Sequence, residues 1–92
     1  MLTKQAYPFR NELTATHKQL QVLKLREYIY HYLCKLDGIS EDEACAIANC
    51  DAGNRLVKTR VFNENDIRYV NGRLEEIEKL SLEINNIRLM PN

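Results

Sequence analysis

Three cysteines and two histidines are the side chains of this sequence that most readily suggest chemistry. His31 and Cys34 stand three residues apart, which makes them neighbours on one face of a helix. With Cys45 and Cys50 they would supply four ligands of the kind that hold zinc in a tetrahedral site. Five residues of helix turn through roughly 140°, so Cys45 and Cys50 face one ion only if a helix ends between them. No CxxC motif is present, and we interpret Cys34 and Cys45 as small buried residues and Cys50 as a loop thiol, with no metal or cofactor.

Catalytic chemistry has even less support in the sequence. Cys50 is followed by Asp51, and His17 and His31 lie elsewhere in the chain. These are the residue types of a thiol nucleophile and its base, but they form no recognised motif. The three glycines are isolated, so no glycine-rich phosphate loop exists. The sequence therefore predicts a protein that is not an enzyme and has no catalytic residues.

The strongest local contrast lies in residues 40–62, where an acidic, alanine-rich stretch is followed by Gly53 and a basic run. A helix-turn-helix module needs a short helix packed on a second one that presents basic and polar side chains to duplex DNA. If Gly53 occupies the turn, Thr59 falls at a buried aliphatic position, so the match is poor. DNA binding through residues 54–60 by a small transcriptional regulator remains the alternative function. Its candidate contacts are Asn54, Arg55, Lys58, Thr59 and Arg60.

Charge is distributed by segment, although the 92 residues are neutral overall. Residues 1–36 carry a net +4, residues 37–53 carry −5, residues 54–73 carry +3 and residues 74–92 carry −2. Neighbouring helices of opposite sign would attract one another within a bundle or across a dimer. Modules that bind nucleic acid are usually basic overall, so the neutral balance counts against the DNA alternative.

Composition predicts one folded, helical domain over the whole chain. The sequence is 45% hydrophobic and 28% charged, and it contains only 3 Gly and 2 Pro. Pro8 indicates that residues 1–10 form an irregular N-terminal arm. No signal peptide or membrane-spanning run is recognisable, and we expect no membrane association. An odd number of cysteines favours a reducing compartment, so a cytoplasmic location is expected.

Apolar residues at steps of three and four predict a first long helix over about 12–36. Leu13 and Leu20 extend the pattern towards the N-terminus, and Leu23 widens it. A strand over residues 28–34 competes, because YIYHYLC is rich in residues that favour strands. The three-four pattern continues on both sides, which favours the helix. The repeating positions are Val22, Leu25, Ile29, Leu33 and Leu36.

Two short helices are predicted in the middle of the chain. Gly38 suits the left-handed position after the first helix. Ser40 and Glu43 form a capping box, in which each side chain accepts from the backbone amide of the other residue. It begins a short helix over about 41–49, and the apolar residues of the basic run suggest another over about 54–62. The inner positions of the first are Ala44, Ile47 and Ala48.

A second long helix is predicted over about 66–89, with Asn63 and Asn65 as suitable caps. Gly72 interrupts it at a cost of about 1 kcal/mol relative to alanine. At 1.5 Å per residue the helix is about 35 Å long, which exceeds what a small globule covers. That length favours an antiparallel hairpin with the first helix, or self-association. Its first inner positions follow a coiled-coil-like heptad, and the full stripe is Ile67, Val70, Leu74, Ile77, Leu80, Ile84 and Ile87.

The predicted fold is all-α, a small helical bundle in which two long amphipathic helices (about 12–36 and 66–89) flank one or two short helices (about 41–49 and 54–62). The function that this architecture favours is a non-enzymatic protein–protein interaction or regulatory module. It would form a homodimer or dock on another protein through its long helices. The predicted partner-binding residues are Leu74, Ile77, Leu80 and Ile84, with Tyr30 at the edge.

Overall fold

The structure, a computed structural model, describes residues 10–50 and 53–89. This part of the chain contains three α-helices: α1 (Arg10–Cys34), α2 (Glu41–Ala48) and α3 (Glu64–Leu89). The predicted all-α class is confirmed, and the segment considered as a strand belongs to α1. Except for Arg10, the predicted N-terminal arm lies outside the described residues. None of the described helices has a stretch long and apolar enough to cross a membrane.

The two long helices pack side by side in opposite directions. Near the start of α1, the Lys18 ammonium lies 2.9 Å from a carboxylate oxygen of Glu83, close to the end of α3. Near the end of α1, the Tyr32 hydroxyl donates a 2.7 Å hydrogen bond to Asp66, in the first turn of α3. The antiparallel hairpin predicted from the length of the second helix is therefore formed.

The core lies between the apolar stripes of α1 and α3. Ile29 and Leu33 of α1 and Val70 and Ile77 of α3 are its largest fully buried side chains. Each stripe covers the other, so most of the apolar area that either helix would expose alone is removed from water. The buried apolar residues are Ala15, Val22, Leu25, Ile29, Leu33, Ala44, Ala48, Val70, Leu74, Ile77 and Ile84.

Leu13, Leu20 and Leu23 do not extend the core stripe, and that prediction was wrong. They are 62%, 52% and 60% exposed, whereas Ala15 and Val22 face the core in this part of α1. A helix turns by about 100° per residue, so Leu13 and Leu20, each two positions before a core residue, lie on nearly the opposite side.

The connection between α1 and α2 is a tight turn. Gly38 has a φ of +88°, the left-handed backbone that glycine adopts most readily. It stands four residues beyond the last residue of α1, so it belongs to the turn and not to the position directly after the helix. Ser40 caps α2 as predicted, because its hydroxyl oxygen accepts from the Glu43 amide at 3.1 Å. The Glu43 carboxylate accepts from the Ser40 hydroxyl at 3.2 Å, so only half of the predicted capping box is formed.

Helix α2 packs on α1 through its small residues. Ala44 and Ala48 are buried and Ile47 is half-buried, as predicted for its inner face. The C-terminal end of α2 is held by Arg26, whose guanidinium donates to the carbonyl oxygens of Ala48 at 2.8 Å and Cys50 at 3.1 Å. A cation at this end of a helix satisfies free carbonyl groups and interacts favourably with the helix dipole.

The second short helix, predicted over about 54–62, is not formed. Residues 53–63 contain no helix. The Asn71 side chain binds the backbone of Leu56 in both directions, accepting from its amide at 2.7 Å and donating to its carbonyl at 3.2 Å. These tertiary bonds satisfy groups that a helix would satisfy internally. Thr59 then forms a turn by accepting from the Phe62 amide at 3.2 Å.

Helix α3 begins with a reciprocal pair of side chains. Asn63 accepts from the Asp66 amide at 2.9 Å, and Asp66 accepts from the Asn63 amide at 3.1 Å. This pair is a capping box. Asp66, which is 4% exposed, also accepts a hydrogen bond from the Tyr32 hydroxyl. The rings of Tyr32 and Tyr69 stack with centroids 4.2 Å apart. The start of α3 is thus tied to the end of α1.

The hairpin has two unequal halves. In the proximal half, which we define as residues 24–34 of α1 and 64–76 of α3, α2 and residues 53–62 pack against the helices. In the distal half, residues 11–23 of α1 and 77–89 of α3, the described residues supply no third layer. The distal half is therefore two helices thick.

Candidate docking face

The residues predicted as partner-binding anchors belong mostly to the core. Leu74, Ile77 and Ile84 are 4%, 2% and 6% exposed, and Leu80 is half-buried beside them. Helix α1 covers this stripe, so it is not presented to a partner. Any docking surface has to be built from other residues.

Tyr30, the fifth predicted anchor, is half-buried near the turn that leads to α2. Its ring packs edge-on against His31, with centroids 5.4 Å apart. A side-chain hydrogen bond with Cys34 and nearby acidic groups, including Glu41, raise the pKa of Tyr30. The phenol therefore stays neutral well above neutral pH, and nothing in this geometry sets it apart as an anchor.

The candidate metal ligands do not converge. Cys34 and Cys45 are exposed, which corrects their interpretation as buried residues, and Cys50 is half-buried. Within residues 10–50 and 53–89, no group of three or more His, Cys, Asp or Glu side chains is placed to hold a metal ion. The described structure thus offers no zinc site made of His31 and the cysteines.

The candidate DNA contacts lie on a non-helical segment at the surface. Arg55 is engaged with α3, because its guanidinium donates at 2.8 Å to the Glu78 carboxylate and also at 2.7 Å to the Asn54 carbonyl. Lys58 and Arg60 are exposed. Since residues 54–62 form no helix, α2 is not followed by the recognition helix that a helix-turn-helix requires.

Five exposed leucines set the distal half apart. Leu82 and Leu89 on α3 are 59% and 82% exposed, and three more leucines on α1 are at least half exposed. In the described part of the proximal half, Tyr28 is the one exposed large apolar residue on a helix. Single exposed leucines are ordinary on protein surfaces, so the leucine that also lines a groove, Leu23, is the one that indicates an interaction surface. The three on α1 are Leu13, Leu20 and Leu23.

A groove of about 430 Å³ runs between α1 and α3 in the distal half. Leu23 lies on its rim, and Val22 and Ile84 line its floor. Leu82 does not line this groove, because it lies two positions before Ile84 on the outer side of α3, beside Arg55, Glu75, Glu78 and Lys79. The groove lining is Gln19, Val22, Leu23, Ser81, Ile84, Asn85 and Arg88.

This groove continues the side of the hairpin that α2 covers in the proximal half. Arg26, which holds α2, is one helical turn after Leu23, and residues three apart share a face. Glu78, which holds Arg55, is one turn before Leu82 on α3. The third layer, made of α2 and residues 53–62, therefore ends at Arg26 and Glu78, and the next turn of each long helix is not covered by the described residues. We define the distal face as the rim of this groove, which is formed by Gln19, Leu23, Ser81, Asn85 and Arg88.

The groove on the other side of the hairpin has a different chemistry. It has a volume of about 390 Å³, and charged side chains make up half of its lining residues. The groove of the distal face has one charged lining residue, Arg88. The other groove also contains apolar side chains, including the exposed Tyr28, so the two grooves differ in the number of charged residues and not in having an apolar lining. The lining of the other groove is Gln21, Lys24, Leu25, Tyr28, Glu76, Lys79, Leu80 and Glu83.

Arg88, the charged residue of the distal face, lies 3.7 Å from the Glu12 carboxylate. The pair of Lys18 and Glu83, 2.9 Å apart, adjoins the other groove. The distal face can bury Leu23 and form amide hydrogen bonds. Comparison with known protein families, curated proteins and solved structures finds no match to this chain.

Proposed function

We propose that this chain is a non-enzymatic protein–protein docking module that binds through the distal face of its two long helices. The observation that carries the proposal is the open groove between the two long helices, which has the exposed Leu23 on its rim and one charged lining residue. The proposal keeps the function expected from the sequence and moves it from the buried stripe of α3 to the open side of the hairpin. Its cysteines are free in the described structure, which supports a reducing compartment such as the cytoplasm.

The exposed leucine of the distal face provides part of a binding free energy. Full burial of a leucine side chain contributes about 1.5–3 kcal/mol. Leu23 is 60% exposed, so covering it would contribute roughly 1–2 kcal/mol. Association costs about 4–15 kcal/mol in lost motion, so the partner must contribute apolar contacts of its own. A partner with a matching leucine surface meets that need.

Site-specific photocrosslinking in cells tests the proposal. A benzophenone amino acid in place of Asn85, which lines the groove, should form a crosslink to protein, and Leu23→Asp in the same chain should abolish it. The matched control carries the benzophenone in place of Val57, which is 68% exposed but lies away from the distal face. Equal crosslinking from both positions, or none from either, would contradict a docking role for the distal face.

DNA binding is a second candidate, favoured by the exposure of Lys58 and Arg60 on one surface segment. Arg55→Ala with Lys58→Ala and Arg60→Ala should then abolish binding to duplex DNA and flatten its dependence on salt. The matched control removes three exposed bases elsewhere, Lys24, Lys35 and Arg68. If both triple variants behave alike, or the wild type does not bind at low salt, this candidate is eliminated.

A further inference from the structure

Asn71 and Gly72 form the one Asn-Gly pair in the sequence, and both lie in α3. Glycine is a poor helix former, and the described structure does not require it at this position. The backbone of Gly72 is not in the left-handed region, and a Cβ added to it would meet no other packed element within 4 Å. An alanine would therefore fit here and strengthen the helix.

The Asn71 side chain fastens residues 53–62 to α3. Its carboxamide accepts from the Leu56 amide at 2.7 Å and donates to the Leu56 carbonyl at 3.2 Å. No other group in the described ranges bonds to the backbone of residues 53–62 from outside that segment. A carboxamide donates and accepts, whereas a carboxylate only accepts. Conversion of Asn71 to aspartate would thus break the bond to the Leu56 carbonyl and bring two acceptor oxygens together.

An asparagine followed by glycine is chemically labile. The Gly72 amide nitrogen can attack the side-chain carbonyl carbon of Asn71, because no Cβ shields that nitrogen. A C–N bond forms, the side-chain nitrogen leaves as ammonia with the proton of the Gly72 amide, and a succinimide ring results. Water then opens the ring at either carbonyl, which gives aspartate or isoaspartate. The net reaction converts a carboxamide and water to a carboxylate and ammonium.

The folded state restrains this reaction. Gly72 lies in the interior of α3, where its N–H donates to the carbonyl four residues earlier. The Asn71 carboxamide is held by both backbone groups of Leu56. Attack therefore requires that the helix open locally and that residues 53–62 detach, and glycine makes that opening easier.

We infer that Asn71 is a modification site, at which deamidation makes a transient detachment of residues 53–62 permanent. Aspartate repels the Leu56 carbonyl, and isoaspartate also adds a backbone carbon that interrupts α3. Neither product can re-form the pair of bonds to Leu56. Leu56 and Phe62, which pack half-buried against the core, then lose the contact that holds their segment in place. The site lies in the proximal half, so this inference does not depend on the distal face.

Incubation of the full chain in mildly alkaline buffer tests the reaction, and peptide mapping by mass spectrometry measures aspartate and isoaspartate at each asparagine. Position 71 should convert roughly 10-fold or more faster than the other asparagines of the described helices, because only there does glycine follow. Gly72→Ala, which fits the structure and keeps Asn71, should lower the rate by roughly 10-fold or more. Arg55→Ala, which removes the pair with Glu78, should raise it about 2-fold, because residues 53–62 detach more often.

Trypsin cleavage within residues 53–62 tests the consequence, because the segment contains exposed basic residues after which trypsin cuts. Asn71→Asp should raise the cleavage rate about 10-fold, since a lost bond and a new repulsion make detachment more frequent. Asn86→Asp makes the same charge change at an exposed position of α3 and should stay within about 2-fold of wild type. Far-UV circular dichroism verifies that both variants are folded. If Asn71→Asp unfolds, the deamidated fraction of incubated wild type, separated by ion exchange, takes its place.

The inference is overturned if position 71 converts no faster than the other asparagines, or if Gly72→Ala converts as fast as wild type. It is also overturned if Asn71→Asp is cleaved no faster than Asn86→Asp, because deamidation would then leave residues 53–62 in place. If Arg55→Ala does not convert faster than wild type, detachment of the segment does not control the reaction, and the coupling between the two is wrong.

Discussion

The two halves of the hairpin use the same helices but differ in what lies on their open side. In the proximal half, Ile29 and Leu33 are fully buried, and α2 and residues 53–62 add a third layer. In the distal half, Ala15 and Ile77 are also buried between the helices, but Val22 and Ile84 form the floor of an open groove and are 9% and 6% exposed. The two apolar stripes therefore bury each other in both halves. The difference is the third layer, which the described residues supply only in the proximal half.

The largest expected difference between the halves is in the free energy of unfolding lost when a core side chain is truncated to alanine. Leu33→Ala should lower the free energy of unfolding by about 3–5 kcal/mol, because a third layer encloses the cavity. Ile84→Ala should cost about 2–3 kcal/mol, because the open groove allows solvent and neighbouring side chains to fill the space. Urea unfolding monitored by circular dichroism measures both.

The solvent-side control for these variants is Leu82→Ala, which should change stability by less than about 0.5 kcal/mol at concentrations where the chain is monomeric. An Ile84→Ala cost equal to or above that of Leu33→Ala would break the comparison. It would mean that the distal core is as enclosed as the proximal one.

Removal of the group that fixes α2 should make the proximal half resemble the distal half. Arg26→Ala deletes two hydrogen bonds from a charged donor to the end of α2, and we expect a loss of about 2 kcal/mol. Native-state hydrogen exchange should show lower protection of residues 41–48 with little change at residues 77–89. Arg68→Ala, an exposed arginine on α3, is the control. Unchanged protection of α2 would show that its alanines suffice to hold it.

Periodicity predicted the helices well. The observed limits of α1 and α3 lie within two residues of those expected, and Ser40 fixed the start of α2. These features depend on neighbours three or four residues apart, which the sequence displays directly. The length of the second long helix predicted its antiparallel pairing with the first. Local chemistry was therefore sufficient for these three helices and for the antiparallel arrangement of the two long ones.

Features that depend on distant residues were not predicted. Residues 54–62 avoid a helix because Asn71, fifteen positions after Leu56, binds its backbone. The partner-binding residues were predicted on the wrong face of α3. An apolar stripe shows which face of a helix is buried, but it does not show whether the chain itself or a partner covers that face. Leu23 was assigned to the apolar stripe of α1, and its place on the rim of the groove was missed, because spacing does not show how wide the buried stripe is.

The bond between Tyr32 and Asp66 predicts how the proximal half responds to pH. The hydrogen bond to Asp66 and partial burial raise the pKa of Tyr32 above its usual value near 10. The folded state therefore holds this proton more tightly than the unfolded state. The resulting stability is complete below the unfolded pKa and is lost as pH rises through the folded pKa.

Tyr32→Phe should cost about 1–2 kcal/mol at pH 7, because Asp66 loses one donor while ring stacking is retained. Urea unfolding from pH 7 to about pH 11 should show a steeper loss above pH 10 in wild type than in this variant. Tyr28→Phe, at an exposed position, should leave the wild-type profile unchanged. If stability depends on pH in the same way in wild type and in Tyr32→Phe, the hydrogen bond between Tyr32 and Asp66 does not contribute to the stability of the proximal half.

The smallest expected effect concerns the ion pairs, and it tests whether charge or burial separates the halves. Lys18→Ala removes the pair with Glu83 from the distal half, and Arg55→Ala removes the pair with Glu78 near the edge of the proximal half. Water screens both pairs, so each loss should be about 0.5 kcal/mol or less, with Arg55 the larger because it also binds the Asn54 carbonyl. Raising the salt concentration should bring both variants closer to wild type in urea unfolding. A cost above about 1.5 kcal/mol for Lys18→Ala would show that charge holds the distal helices together, and burial would no longer account for the difference between the halves.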